Sequence, residues 1–268
     1  KRMKTILFPT DFSEDSFKAL EFGLKYLISD SPEIIFINVY QIPAGAASGT
    51  FYLLEELKKQ ANEDMHKFVL KTHKAYPDLN LKITPKVLMG DFADQCNSVA
   101  LQYHADCILV GTKGASGIKE VLVGSNTVSL IRGLKAPLFV IPFNFTENKM
   151  ETFILTYDGD DYEINSKATI KKFAKWFDMP IKAIHSKTNQ EKKIDWQSIK
   201  TLFHDMELSI EEIDNDSLEV GLKEITNQNE GVLCMVHHKQ SFWESIFNIS
   251  DSRKMVMHAA MPILVIPD

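Results

Sequence analysis

The sequence predicts an α/β protein made of two tandem domains, each a doubly wound, five-stranded parallel sheet with helices on both faces. Short apolar segments alternate with longer amphipathic ones, as in strands joined by helical crossovers. The chain has 268 residues, which is too long for one average domain and enough for two. Its two halves also begin and end alike, and this similarity sets the domain boundaries.

The repeated openings and closings indicate an internal duplication. The first half opens with KTILFPTDFSED and closes with APLFVIPFN, while the second opens with ETFILTYDGDDY and closes with MPILVIPD. Each opening is an apolar run that ends at an aspartate, Asp11 or Asp158, and each closing ends in Val-Ile-Pro. We therefore predict two fused copies of one unit, residues 1–145 and 150–268, joined near the polar stretch 143–150.

The elements of each copy follow from the pattern of apolar residues. In the first copy the predicted strands are Thr5–Pro9, Ile34–Tyr40, Leu81–Leu88, Cys107–Gly111 and Leu138–Ile141. The predicted helices are Ser13–Ile28 with Ser13 as N-cap, Phe51–Tyr76, Asp91–Tyr103 with Asp91 as N-cap, and Ser125–Leu134. In the second copy we expect strands near 152–156, 181–186, 206–213, 231–236 and 262–266.

Composition excludes several classes of function. The formal net charge is −6 and neither half is basic, which argues against nucleic acid as the main partner. No run of 18 apolar residues could span a membrane. No signal-peptide core precedes the first strand, so we expect a cytoplasmic protein. Three cysteines at wide spacing argue against a disulfide framework and against a cysteine zinc site.

The topology predicts where a ligand would bind. Open parallel sheets bind ligands at the carboxyl ends of their strands, where the strand order reverses. With the order 3-2-1-4-5, the first and fourth strands are neighbours across that point. Asp11 at the end of the first strand and Gly111 at the end of the fourth would then face one crevice, although 100 residues separate them in sequence.

The segment GTKGASGIKEVLVGS, residues 111–125, follows the fourth strand directly. Gly111, Gly114 and Gly124 would let main-chain N–H groups approach a phosphate without interference from a Cβ atom. Ser125 would cap the next helix, whose free N–H groups at Ser125, Asn126 and Thr127 favour an anion, and Lys113 adds a positive charge. The alternative is an ordinary glycine-rich surface loop, and the exit from a strand together with the Gly-Ser at a helix start favours the phosphate site.

The spacing Gly111-x2-Gly114-x9-Gly124-Ser125 matches the ATP-binding motif G-x2-G-x9-G-(S/T) of the universal stress proteins, the UspA superfamily, at every fixed position. PTDFS and APLFVIP match as well, so the chain resembles the tandem form of this family over essentially its whole length. The resemblance implies an adenine nucleotide alpha hydrolase-like fold that holds ATP, or ADP or AMP, together with Mg²⁺, and Asp11 could assist the ion. It implies an adenosine end lined by Pro9, Thr10, Asp11 and Val39, with main chain from Val110 beside it. It implies that ribose and phosphates are held by Gly111, Lys113, Gly114, Gly124, Ser125, Asn126 and Thr127.

The second copy has lost the glycines. Aligning Val110 with Val236 places His237, Gln240 and Ser250-Asp251 where the first copy has Gly111, Gly114 and Gly124-Ser125. The Asp251 carboxylate would repel an anion, so we predict no ATP binding through phosphates in this copy. Apolar residues are expected to fill the cleft, the alternative being an exposed surface for a partner: Phe242, Trp243, Ile246, Phe247 and Ile249. We expect neither His237-His238 nor DGDD at 158–161 to bind a metal.

These observations support an ATP-binding protein of the stress response, with the nucleotide as a regulatory or conformational ligand in the first copy. Gln41–Thr50 could act as a flap over the base. A slow ATPase or autokinase is one alternative, and a nucleotide-independent interaction scaffold is another. The resemblance also implies an intrachain pseudo-dimer through the closing strands, Pro137–Pro142 and Pro262–Pro267, and a homodimer of chains is open as well.

Overall fold

A computed structural model of the chain describes residues 3–41, 50–112, 125–142, 145, 150–157, 159, 162–187, 194–214, 231–237 and 261–267. The chain divides into two compact units. Of the described residues, those up to Leu138 belong to the first unit and those from Phe139 onward to the second. The predicted domain boundaries, 1–145 and 150–268, stay a prediction. None of the helices in the described part of the chain combines the length and the apolar character needed to cross a bilayer.

The first unit is a parallel sheet with helices between its strands. Its strands are β1 (Met3–Pro9), β2 (Ile28–Tyr40), β3 (Lys82–Met89) and β4 (Cys107–Gly111). Its helices are α1 (Glu14–Phe22), α2 (Thr50–Ala75), α3 (Phe92–Gln102) and α4 (Ser125–Arg132). The strand order is β3-β2-β1-β4, and each neighbouring pair is parallel. The predicted position of the first strand beside the fourth is therefore confirmed.

Local sequence signals explain where the helices begin. The Ser13 Oγ accepts a hydrogen bond from the Ser16 N–H at 3.1 Å, and an Asp91 oxygen accepts one from the Asp94 N–H at 3.0 Å. These bonds satisfy N–H groups that lack a partner within the first turn of a helix. Both predicted N-caps are confirmed.

The end of the first predicted helix differs from the prediction. Regular α-helix stops at Phe22, a π-helical stretch covers Gly23–Leu27, and β2 starts at Ile28 rather than Ile34. At Gly23 the helix lies so close to β4 that an added Cβ would collide with the Leu109 side chain. This close approach is a tertiary constraint, and the periodicity of the local sequence does not encode it.

An aromatic cluster forms the core on one face of the first sheet. The Phe68 ring of α2 lies 5.2 Å from Phe36, 5.8 Å from Phe17, 5.9 Å from Phe12 and 6.3 Å from Phe8, measured between ring centroids. The cluster therefore joins α2 to β1, to β2 and to the turn that follows β1. Aromatic pairs at these separations add to the stabilisation that burial alone provides.

The second unit repeats the topology. Its strands are β6 (Thr152–Thr156), β7 (Ile181–Lys187), β8 (Leu208–Asp214), β9 (Gly231–His237) and β10 (Ile263–Pro267), in the order β8-β7-β6-β9-β10. All neighbouring pairs are parallel. Its helices are α5 (Ile164–Phe177) and α6 (Gln197–Leu202). Of strand β5 (Leu138–Ile141), the residues from Phe139 onward belong to this unit, and the Phe139 ring lies 5.5 Å from that of Phe173.

The helix that follows the second strand differs most between the units. Between β2 and β3 the first unit has α2, with 26 residues, whereas α6 between β7 and β8 has 6. Phe17 of α1 packs under α2 and is buried, while Ile164, at the equivalent place in α5, is 84% exposed.

Candidate functional site

The sheet register brings the ends of β1 and β4 together. Leu7 of β1 pairs with Ile108 of β4, so Pro9 and Val110 end up at the same carboxyl edge of the sheet. The chain continues from β1 to β2 on one side, while β4 flanks β1 on the other side. This is the reversal of strand order at which open parallel sheets form ligand crevices.

Thr10 holds the turn after β1 in place through hydrogen bonds of its main chain and its side chain. Its N–H donates to the Ile37 carbonyl at 2.9 Å, and its own carbonyl accepts from the Asn38 amide at 2.8 Å. Its hydroxyl oxygen accepts from the Phe12 N–H and from the Ser16 hydroxyl, both at 2.9 Å. The residue is buried, so Thr10 shapes the crevice wall through bonds within the protein.

The next three residues present a carboxylate at the mouth of the crevice. One oxygen of Asp11 accepts hydrogen bonds from the Ser13 N–H at 3.1 Å and from the Ser13 hydroxyl at 2.6 Å. Between them Phe12 has a positive φ of 66°, which is uncommon for a residue with a side chain. Asp11 itself is exposed. The turn thus fixes an exposed carboxylate beside the strand ends.

The other wall comes from β2 and β4. Val39 lies two residues beyond Ile37, the register partner of Pro9, and is partly exposed at the same edge. Val110 is buried and Gly111 is partly exposed. The structure therefore brings together six of the predicted site residues along one edge: Pro9, Thr10, Asp11, Val39, Val110 and Gly111.

Helix α4 supplies the remaining described candidates. It leads back to the amino edge of the sheet, where the Ile108 N–H donates to the Pro137 carbonyl at 2.7 Å, so α4 starts towards the carboxyl edge. Ser125 and Asn126 are exposed in its first turn, whereas the Thr127 side chain is buried. No acidic residue lies in that turn. Lys113, Gly114 and Gly124 fall outside the described residues, as does most of the predicted flap, 42–49.

Metal binding by the protein alone has little support in the described residues. Within those ranges no three side chains of His, Cys, Asp or Glu form a cluster that could hold an ion. Asp11 is a single carboxylate at the crevice mouth. Mg²⁺ in nucleotide sites uses one or two carboxylates together with phosphate oxygens and water, and a single exposed carboxylate fits that arrangement.

Matching hydrogen bonds identify the equivalent residues of the second unit. The Tyr157 N–H donates to the Ile184 carbonyl at 2.8 Å, as Thr10 does to Ile37. The His185 Nδ1 lies 2.7 Å from the Tyr157 carbonyl, as the Asn38 amide does from that of Thr10. Since a carbonyl only accepts, Nδ1 carries the hydrogen. Tyr157 therefore stands in the place of Thr10.

Aromatic rings surround that place in the second unit. The buried Tyr157 ring lies 5.5 Å from Tyr162 and 5.3 Å from Trp196. The Tyr157 hydroxyl donates to the Asp195 carbonyl at 3.2 Å, and that of Tyr162 donates to the Thr156 carbonyl at 2.6 Å. This cluster was not predicted from the sequence, although Tyr157 stands visibly in the sequence position that Thr10 has in the first copy. The apolar residues that we expected to fill the cleft, 242–249, lie outside the described residues.

The structure corrects our alignment of the glycine segment by one residue. The Leu233 N–H donates to the Pro262 carbonyl as Ile108 does to Pro137, so equivalent residues here differ by 125 positions. Gly111 then corresponds to Val236, not to His237. The stretches 108–137 and 233–262 have equal length. With the same offset, Gly114, Gly124 and Ser125 correspond in sequence to Lys239, Ile249 and Ser250. The alignment of Val110 with Val236 was wrong by one position. Both strands are runs of apolar residues, so a shift by one residue still pairs apolar with apolar in the sequence.

A doubly wound α/β fold whose sequence carries a glycine-rich segment after the fourth strand is typical of a class of ligand-binding proteins, and comparison identifies the family. The model of the Universal stress protein family matches residues 3–142. Universal stress protein MJ0531 of Methanocaldococcus jannaschii is 28% identical over 141 residues, 52% of this chain and 81% of that protein. Universal stress protein MJ0577 of the same organism is 26% identical over 152 residues, 52% of this chain and 94% of that protein.

The fold comparison extends over the whole chain. The crystal structure of a universal stress protein from Archaeoglobus fulgidus covers 99% of this chain and 97% of its own, with a TM-score of 0.70 and 18% identity. At this identity the likeness concerns the fold. The chain belongs to the universal stress protein family.

Proposed function

We propose that the first unit binds an adenine nucleotide at the carboxyl ends of β1 and β4, and that the nucleotide is a regulatory ligand in a stress response. The observation that carries this proposal is the sheet register, which joins Thr10-Asp11 and Val110-Gly111 at the reversal of strand order. The second unit, with Tyr157 in the place of Thr10, is proposed to leave its equivalent crevice without a nucleotide.

The start of α4 supports an anionic ligand. Helix α4 carries no acidic residue in its first turn, so no carboxylate there would repel an anion. Its first N–H groups lie at the positive end of the helix dipole and are suited to a phosphate. The segment Gly111-x2-Gly114-x9-Gly124-Ser125 leads from the strand end directly into this helix. Adenosine would then lie towards Thr10 and Val39, and the phosphates towards Ser125.

ATP with Mg²⁺ is the ligand that would contact the strand ends, the start of α4 and the Asp11 carboxylate together. The ion would offset the charge of the phosphates, and Asp11, held by Ser13, would be the carboxylate nearest to it. ADP and AMP share the adenosine end and would make fewer phosphate contacts. We therefore expect affinity to fall in the order ATP, ADP, AMP.

Calorimetric titration with Mg-ATP tests the proposal on the wild-type chain and on Gly114→Val. We expect one site per chain in the wild type and loss of binding in the variant, because a branched side chain would block the approach of phosphate to the main chain. Gly133→Ala is the matched control, since a Cβ at Gly133 would meet its nearest neighbours at 3.8 and 3.9 Å, which is ordinary contact. Two sites per chain would refute the assignment of the second unit.

The same samples distinguish a bound ligand from a substrate. We expect phosphate release to be slow, since rapid phosphoryl transfer needs a group that positions the nucleophile as well as the metal. Fast release that disappears in Asp11→Ala would make the protein an ATPase or an autokinase. Absence of nucleotide binding in the wild type would leave a nucleotide-independent scaffold as the function.

A further inference from the structure

A side-chain hydrogen bond joins the end of β2 to the turn that carries Asp11. The pairing of β1 with β2 ends at Pro9 and Ile37, and the Thr10 N–H still donates to the Ile37 carbonyl at 2.9 Å. In a regular parallel ladder, a main-chain N–H of β2 would donate to the Thr10 carbonyl next. Here the side-chain amide of Asn38 donates to that carbonyl, at 2.8 Å. A side chain therefore extends the contact between the two strands beyond the end of β1.

The carbonyl that Asn38 holds belongs to the peptide group that leads into Asp11. A peptide group is planar, so a bond that fixes the Thr10 carbonyl also fixes the direction in which the chain enters Asp11. The Asp11 carboxylate is held separately, because one of its oxygens accepts hydrogen bonds from the N–H and the hydroxyl of Ser13. Asp11 is therefore held from the strand before it by Asn38 and from the turn after it by Ser13.

The second unit forms the same bond with different residues. The His185 Nδ1 donates to the Tyr157 carbonyl across 2.7 Å, in the place where Asn38 donates to Thr10. The amide Nδ2 of asparagine and the ring Nδ1 of histidine are the same number of bonds from Cα, so both present an N–H at a similar reach. The donor and the acceptor residue both differ between the units, yet the bond is present in each. Histidine is therefore a natural substitute for Asn38.

We infer that Asn38 is a positioning residue of the nucleotide site, which presets the Asp11 carboxylate for the cation that accompanies ATP. The inference rests on the proposed function, because Asp11 has a ligand to serve only where the first unit binds a nucleotide. The Asn38 amide is engaged by the Thr10 carbonyl, so its effect on the ligand passes through Asp11. Supporting bonds of this kind hold metal-binding side chains in place, and their loss costs about 10–100-fold in affinity for the metal.

Calorimetric titration with ATP, in the presence and in the absence of Mg²⁺, tests the inference on Asn38→Leu. Leucine has nearly the shape of asparagine and lacks the donor, so the affinity for Mg-ATP should fall about tenfold. The affinity for ATP without Mg²⁺ should change little, because Asp11 acts on the cation. Asn38→His should restore the wild-type affinity, since imidazole supplies the N–H in the second unit. An Asn38→His chain that binds as weakly as Asn38→Leu would overturn the inference.

A double-mutant cycle with Asp11→Asn shows whether Asn38 acts through Asp11. If it does, the chain that carries both Asn38→Leu and Asp11→Asn should bind Mg-ATP no more weakly than Asp11→Asn alone. Additive losses would contradict the inference, because the two residues would then act independently. Asn97→Leu is the matched control. Its amide donates to the Gly133 carbonyl at 2.8 Å, just after the end of α4, so its loss should lower stability and leave the affinity for Mg-ATP unchanged.

Urea unfolding establishes which variants are folded under the conditions of the titration. Asn38 is partly exposed, so we expect Asn38→Leu to fold, and Asn38→Ala removes the same donor in a smaller side chain. If neither variant folds, Asn38 serves the fold as a whole and the inference is wrong. A wild-type chain that binds no ATP would refute the proposed function itself. A wild type that binds Mg-ATP, together with an Asn38→Leu chain of equal affinity, would overturn the role of Asn38 alone.

Discussion

At the scale of single residues, Thr10 shows how a short polar side chain can organise the carboxyl edge of a sheet through hydrogen bonds within the protein. Its main chain joins β1 to β2, and its hydroxyl oxygen accepts two hydrogen bonds from the following turn. The motif PTDFS predicted Thr10 at the end of the first strand, and Thr10 follows β1 directly; its place at an adenosine end stays a prediction. The sequence alone did not reveal that the hydroxyl is engaged by Phe12 and Ser16.

Replacing Thr10 with valine, which has a similar shape, tests this role. The Phe12 N–H and the Ser16 hydroxyl would lose their acceptor next to a buried site, so the free energy of unfolding should fall by about 1–3 kcal/mol. Thr10→Ser keeps the oxygen and should retain most of the stability. Urea unfolding measures both variants. Equal stability of Thr10→Val and wild type would mean that water replaces the hydroxyl in the turn.

Phe12 explains why this turn could not be predicted in detail. Its positive φ of 66° costs energy for a residue with a side chain, and the packing of its ring against Phe68 offsets that cost. Phe68 lies 56 residues further along the chain, so no local pattern contains the reason for the conformation. Turn geometry that depends on a distant contact is visible only in the folded structure.

At the scale of elements, the features set by neighbouring residues in the sequence were predicted. Features at contacts between residues distant in sequence were not. The N-caps Ser13 and Asp91 and the limits of β4 follow from the sequence. The π-helical stretch begins at Gly23, where the chain lies too close to the Leu109 side chain of β4 for a Cβ atom. The length of β2 was underestimated because its first residues, from Ile28, are more polar than an apolar run allows.

An ion-pair cluster joins α5 to the turn after α6. The Asp205 carboxylate lies 2.6 Å from the Lys175 ammonium and 2.9 Å from that of Lys171. Hydrogen bonds from Lys175 and Lys171 hold the pKa of Asp205 below its ordinary value. A lowered pKa means that the folded state favours the charged carboxylate. The charged Asp205 carboxylate therefore stabilises the folded state fully above the ordinary aspartate pKa of about 3.9. This stabilisation is lost as the pH falls through the lowered pKa of the folded state.

The substitution Asp205→Asn should reveal this pH dependence. We expect a lower urea midpoint than wild type at neutral pH, and convergence of the two midpoints as the pH is lowered from about 4 to about 2. The difference should shrink in high salt, because the carboxylate is exposed and its ion pairs are screened. Glu207→Gln, two residues along the same turn, is the control. A difference that does not change with pH would point to packing in place of charge.

At the scale of the whole molecule, the repeated strand order was the most predictable feature. In both units the first strand lies between the second and the fourth, as expected for the strand order 3-2-1-4-5. The candidate site of the first unit was predicted as far as its strand ends. The second unit was predicted less well: Tyr157, Tyr162 and Trp196 meet only in the fold, because Trp196 is distant in sequence from both tyrosines.

The two units contain different numbers of cysteines, so the number of thiols that react tells which unit has opened. Cys96 and Cys107 are buried in the first unit and Cys234 is buried in the second. Burial raises the pKa of the Cys96 and Cys234 thiols, so few thiolates exist to react in the native state. Alkylation would then follow opening of the structure, and intact mass would distinguish the units. A chain that gains one adduct first has opened its second unit, whereas one that gains two first has opened the unit proposed to bind nucleotide.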